Sequence, residues 1–182
     1  MHLLAVCTGN ICRSPSFERV LRASGIGHGG VTVTSVGTEA VIGAPIHSQM
    51  ARLVRERGAD VEQFEARALS VTDIEEADLV VVMTREHRRR IVELSPAHVR
   101  RTFTLTELAR IANRIDSASA LGSSVVGRFA VLIHRAPALR TAAATPKDDD
   151  IADPNGGRSR DYERAMGKII GAVNSLERVL LD

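Results

Sequence analysis

The chain has 182 residues, enough for one domain with a sizeable hydrophobic core and little more. It is 44% apolar with only 3% aromatic residues, so its core has to be built from Val, Ile, Leu and Ala. A formal net charge of +2 gives no electrostatic case for a nucleic-acid partner, and no apolar run approaches the roughly 20 residues of a membrane span.

Leu3 to Val6 is a short apolar run that predicts a buried strand, too short and too poor in basic residues for a secretory leader. It runs into Cys7-Thr8-Gly9-Asn10-Ile11-Cys12-Arg13-Ser14-Pro15, after which Phe17, Val20 and Leu21 recur at helical spacing, with Pro15 in the first turn. Val31 to Ser35 predicts a second strand between Gly29-Gly30 and Gly37. Met50, Leu53 and Val54 predict a helix that stops near Gly58. Thr72-Asp73-Ile74-Glu75 has the form of a capping box opening a short helix. Leu79 to Met83 predicts a fully buried central strand, followed by a helix bearing Arg88-Arg89-Arg90 on its solvated face. Thr102 to Leu105 predicts a fourth strand, with a helix from about Thr106. The pattern weakens from Asp116 to Lys147, where Val125, Val126, Phe129, Leu132 and Ile133 suggest an amphipathic helix ending before Pro137. Arg135 to Asp150 is the linker candidate, and Tyr162 to Leu180 predicts a long closing helix.

Strands alternating with helices indicate an α/β fold, a parallel sheet covered on both faces. Ligands of such folds sit at the carboxyl ends of strands, which is where the Cys7 loop falls. A loop between a buried strand and a helix start can turn several amide N–H groups inward as an anion nest, reinforced by the helix dipole. Gly9 is expected to permit a tight turn and Asn10 a left-handed one. Arg13 supplies a planar fork for two phosphate oxygens. The fields that favour phosphate also favour a thiolate at Cys7, and Ser14 is placed to donate a hydrogen bond to it. An isolated cysteine is ordinarily a small buried hydrophobe; the company of Gly9, Asn10, Arg13, Ser14 and Pro15 argues for a nucleophile. The two cysteines, both near the start, fit a reducing cytoplasm, where such residues are catalytic, redox-active or buried. A proton donor and acceptor is needed as well, and Asp148, Asp149, Asp150 and Asp153 are indistinguishable by composition alone. His47, His87 and His98 have no metal-ligand spacing and read as surface or structural residues.

The run Cys7 to Pro15 resembles the signature of the low-molecular-weight protein tyrosine phosphatase family, bacterial type. The resemblance continues through Ser35-Val36-Gly37-Thr38, Ala66-Arg67, and Ala77-Asp78-Leu79 to Met83, and resumes at Asp153-Pro154. It implies a single three-layer α/β/α domain over 1–182, Rossmann-like, with a four-stranded parallel sheet and an insertion at about 116–147. The implied activity is metal-independent, cofactor-free hydrolysis through a phosphocysteine, with a phosphotyrosine protein as substrate and inorganic phosphate as product. Cys7, Arg13 and Asp153 would be catalytic; Thr8, Gly9, Asn10, Ile11, Cys12, Ser14 and Ser35 would bind phosphate or support the loop. Cys12 matches a loop cysteine that can pair with the nucleophile on oxidation.

The resemblance falters at the pocket rim, where aromatic residues are expected and Val41, Asn155 and Gly156 stand. Ile11 nonetheless suits an aromatic ester. The 116–147 segment reads as a surface insertion, with Phe129 as a candidate replacement wall. Rival readings are a phosphoarginine or other small-phosphoester phosphatase, a thiol-coupled arsenate reductase on the same fold, and an inert anion-binding module.

Overall fold

The computed structural model describes residues 1–115, 124–140 and 149–181. Four parallel strands form one sheet in the order β2-β1-β3-β4: β1 His2–Cys7, β2 Thr32–Gly37, β3 Leu79–Val82 and β4 Thr102–Thr104. Each residue of β3 is fully buried, as expected of a central strand covered on both faces. The two-residue period of β1 divides its side chains between two apolar clusters. Leu3, Ala5 and Cys7 face the larger one, and Leu4 and Val6 the smaller.

The larger cluster is closed by α1 (Arg13–Ala23), α3 (Ser48–Arg55), α6 (Leu105–Ala112), α7 (Val125–Leu139) and α8 (Ser159–Leu180), which contribute Phe17, Met50, Leu108, Phe129 and Ile169 among others. The smaller is closed by Ile74 of α4 (Val71–Glu75) and Ile91 of α5 (Arg85–Leu94). Gly25–His28 forms the short α2, and a 3₁₀ turn over Pro96–Arg101 leads into β4. With so few aromatics, fully buried Leu, Val and Ile side chains carry the stability, each contributing roughly 1.5–3 kcal/mol. No helix among the described residues is long and apolar enough to cross a membrane.

Several local expectations shift. The box opening α4 has Ser70 as its cap and Asp73 as the reciprocating acid, two residues ahead of the Thr72 expectation. The helix around Phe129 does not end before Pro137 but continues through it to Leu139. Pro137 lacks the N–H that would return to the Ile133 carbonyl, and the helix ends two residues later. Phe129, Leu132 and Ala136 are fully buried in the larger cluster, so the described part of 116–147 is a core element. That burial excludes Phe129 as a pocket wall, while residues 116–123 and 141–147 of the expected insertion lie outside the described residues. The linker expectation over Arg135 to Asp150 falls partly on α7 and partly outside the described residues.

Candidate active site

β1 ends at Cys7 and α1 begins at Arg13, so residues 8–12 bridge a strand end and a helix start. The loop's carbonyls are turned outward by the chain that follows β2. Thr38 N donates to Cys7 O (2.9 Å), Glu39 N to Thr8 O (3.0 Å), Val41 N to Gly9 O (3.0 Å) and His47 N to Ile11 O (2.8 Å). With the carbonyls held on that side, the Gly9 to Cys12 amides find no acceptor among the described residues. Cys12 caps α1 without a side-chain hydrogen bond, which leaves the helix's first amides open to an anion as well.

The left-handed turn is made by Asn10, at φ 55°, while Gly9 has ordinary backbone and room for a Cβ. The expectation of a Gly9 turn is therefore corrected. The glycine that this site demands is Gly37, where a Cβ would lie 2.4 Å from the Thr8 carbonyl.

Asn10 is fully buried and uses its whole amide. Nδ2 donates to Ser14 Oγ (3.0 Å) and Ser35 Oγ (2.9 Å), and Oδ1 accepts from the Arg67 N–H (2.9 Å). Ser35 in turn donates to the buried Glu18 carboxylate at 2.6 Å. With Asn10 donating to its oxygen, the Ser14 hydroxyl can direct its hydrogen at Cys7 Sγ, 2.9 Å away, or at the more distant Val36 carbonyl at 3.4 Å. Cys7 and Cys12 are both buried free thiols. Burial first, then the neighbouring Asp153 and Cys7, push the Cys12 thiol up to about 12, against a smaller opposing effect of Arg13. Cys12 accordingly stays protonated at neutral pH.

Arg13 is 2% exposed. Nη1 donates to Ile151 O (3.0 Å) and Nη2 to Asp153 Oδ2 (2.5 Å), while Nε has no partner among the described residues. A buried guanidinium N–H at the loop's mouth suits an anion's oxygen.

The structure separates the aspartates that composition leaves equal. Asp149 is clamped by Arg110 Nη2 at 2.8 and 2.9 Å, and Asp150 by Arg85 at 3.0 Å. Burial opposes ionisation of Asp150, but its hydrogen bonds to Arg85 outweigh this and hold the carboxyl below its usual range. Ile151 N is bonded to Met83 O at the end of β3, which docks the segment onto the sheet. Asp153, half exposed, meets Arg13 instead. Asp148 lies outside the described residues.

Residues 2–117 match the family model for low molecular weight phosphotyrosine protein phosphatases. The chain belongs to this family. A probable low molecular weight protein-tyrosine-phosphatase of Ralstonia nicotianae, EpsP, is 34% identical over 106 residues, 58% of this chain and 71% of that protein. Among solved structures, the low molecular weight protein tyrosine phosphatase of T. tengcongensis is 26% identical, covering 98% of each chain at a TM-score of 0.70. The YwlE arginine phosphatase of Geobacillus stearothermophilus is 25% identical, covering 99% of this chain and 92% of its own at a TM-score of 0.70. The low molecular weight phosphatases are hydrolases, and this chain shares their four-stranded parallel sheet and α/β/α layering.

At the rim of this low molecular weight phosphatase, Ile11 and Val41 both lie over Gly9, and Val41 and the neighbouring Ile42 are exposed. Asn155, after Pro154, is exposed, and Asn155 N caps back onto Asp153 Oδ1 at 3.1 Å. Among the described residues no group of three or more His, Cys, Asp or Glu side chains is disposed to hold a metal ion.

Two residues near the loop escaped the sequence reading. Glu18 is a buried carboxylate, and its i,i+4 pair with Arg22 (3.0 Å) looks in sequence like an ordinary surface pair. His87, expected to be surface or structural, is buried beside the loop, with Nε2 3.0 Å from Thr8 Oγ1 and Nδ1 2.9 Å from Thr84 Oγ1. The available signal was its place three residues after Thr84, where an N-capped helix turns its first turn back toward the strand end.

Burial and then the Arg13 guanidinium push the His87 imidazole down to about 4, with Asp153, Glu86 and Asp150 opposing. An unfolded histidine titrates near 6.5. Between these values the unfolded chain binds a proton that the native state refuses, so this contribution is complete above about pH 6.5 and is lost as pH falls toward 4. It amounts to roughly 3 kcal/mol at most. Urea unfolding of wild type and His87→Gln from pH 7 to 4.5 checks it: the variant should show a shallower loss of stability, and parallel curves would contradict the assignment.

Proposed function

We propose that the chain is a cysteine-dependent phosphatase in which Cys7 is the nucleophile, Arg13 the phosphate-binding cation and Asp153 the general acid and base. The observation that supports this best is the convergence on one loop of Cys7 Sγ with its Ser14 partner, inward amides, and an Arg13 that reaches Asp153 while keeping Nε available. A phosphoester dianion enters the nest and takes hydrogen bonds from the amides and Arg13. The Cys7 thiolate attacks phosphorus, the phosphorus–ester oxygen bond breaks, and Asp153 gives its proton to the leaving oxygen. The Asp153 carboxylate then takes a proton from water as that water attacks phosphorus. The phosphorus–sulfur bond breaks, inorganic phosphate leaves and the thiolate returns.

The substrate class we favour is phosphotyrosine on protein, as the Ralstonia relative's name states for that protein. Ile11 and Val41 over Gly9 offer an apolar edge to a phenyl ring. Phosphoarginine is the second reading, favoured by the absence of aromatic side chains at Val41, Asn155 and Gly156 and by the likeness to the Geobacillus arginine phosphatase. The proposed domain is the whole of 1–182, and the proposed location is the cytoplasm.

The test is turnover of p-nitrophenyl phosphate in chelator-treated buffer, beside phosphotyrosine and phosphoarginine peptides. Turnover with a phosphotyrosine preference is expected. A phosphoarginine preference would move the substrate class and keep the chemistry. No turnover by folded, reduced protein would defeat the phosphatase reading and turn attention to thiol-coupled arsenate reduction.

A further inference from the structure

A second hydrogen-bond chain, from Thr84 through His87 to Thr8, enters the loop from the side opposite Asn10. Thr84 caps α5, and its Oγ1 accepts the His87 backbone N–H at 3.2 Å. We assign the Thr84 hydroxyl hydrogen to His87 Nδ1, the acceptor that lies 2.9 Å from it. Nδ1 being the acceptor, the neutral ring carries its proton on Nε2 and donates to Thr8 Oγ1 at 3.0 Å. Arg13 Nη2 points at the same oxygen from 3.4 Å and, like every guanidinium nitrogen, has no lone pair to offer. Thr8 Oγ1 is thus faced by two donors, and its own hydrogen has no acceptor among the described residues. It sits on the residue after the nucleophile, beside the nitrogen that Asp153 also engages.

We propose that Thr8 is a further catalytic residue whose hydroxyl donates to an oxygen of the reacting phosphoryl group. His87 and Thr84 are then positioning residues that fix the direction of that donation. This rests on the phosphatase reading and extends it. The loop amides are equal donors to any oxyanion. A hydroxyl forced into the donor role adds one aimed hydrogen bond near the acid, where the ester oxygen leaves and water arrives. A threonine anchored only by packing would present its hydroxyl in any rotamer; the fixed donor on Nε2 removes that freedom.

The experiment measures vanadate affinity and p-nitrophenyl phosphate kinetics for Thr8→Val, Thr8→Ser, His87→Phe, His87→Gln and the Thr8→Val/His87→Phe double variant, with thermal melts throughout. Thr8→Val is expected to weaken vanadate binding and lower kcat/KM about tenfold or more, the size of one hydrogen bond to a charged group. Thr8→Ser is expected to remain within about threefold of wild type. His87→Phe should match Thr8→Val, His87→Gln should recover part of the loss by restoring a donor, and the double variant should lose no more than the worse single. Full vanadate affinity and kcat/KM in Thr8→Val would overturn the proposal. So would losses in the double variant that multiply, since independent effects indicate packing alone. If His87→Phe does not fold, the Thr8→Val and Thr8→Ser pair decides by itself. Wild type that neither binds vanadate nor turns over would instead defeat the phosphatase reading on which the proposal rests.

Discussion

Cys7→Ser should abolish turnover, by on the order of 10⁴-fold or more, while leaving phosphate binding close to wild type. A serine hydroxyl is far less acidic than a thiol, and a neutral hydroxyl in place of the Cys7 sulfur attacks phosphorus poorly. The groups proposed to bind the dianion are the inward amides, Arg13 and the Thr8 hydroxyl, and none belongs to the Cys7 side chain. Cys7 is buried and its oxygen isostere is slightly smaller, so the melting temperature should change little. Steady-state kinetics with calorimetric titration of inorganic phosphate separates the two effects. A serine variant that retained a tenth of wild-type activity would place the nucleophile elsewhere. Cys12 is a poor alternative, because its thiol is held protonated.

Asp153→Asn should reduce kcat by about 10²–10⁴-fold, more steeply for an alkyl phosphate than for p-nitrophenyl phosphate. A poor leaving group needs the proton most, so the dependence of rate on leaving-group acidity should become steeper. Asparagine can still accept a hydrogen bond from Arg13, which isolates proton transfer from geometry. Because Asp153 is half exposed, loss of its ion pair should cost little stability. The control is Asp149→Asn, which replaces the buried carboxylate bonded to Arg110 by a neutral amide and should lower stability without changing the leaving-group dependence. Identical leaving-group slopes in wild type and Asp153→Asn would remove Asp153 from the acid role.

The fold was legible where physics is local. The buried runs of β1 and β3, the turn chemistry of Gly58 and the apolar stripe of α8 announce themselves in a few adjacent residues. The loop was legible because its parts are contiguous, and Asn10 takes the left-handed turn expected of it while Gly9 keeps ordinary backbone. What stayed hidden depends on distant pairing. Glu18 reads as half of a surface ion pair until Ser35 arrives from another strand. His87 reads as one more residue on a basic helix until α5 is set against the Cys7 loop. The aspartates differ only through Arg85, Arg110 and Arg13, which lie at least 39 residues away in sequence. Phe129 was misread because weak periodicity around it hid a fully buried face.

The grip on the loop's carbonyls comes from main-chain N–H groups of Thr38, Glu39, Val41 and His47, and main-chain donors are indifferent to the side chains above them. Val41 holds Gly9 in place with its backbone while its isopropyl group faces outward beside the exposed Ile42. Scaffold and substrate surface are therefore written in separate alphabets along one segment. Residues 41 and 42 can drift without disturbing the main-chain bonds beneath them, and under the proposed function the substrate preference can drift with them. Gly37 has no such latitude, because any side chain there would meet the Thr8 carbonyl. If the proposed function holds, a lineage carrying this chain is free to change what it dephosphorylates long before it can change how.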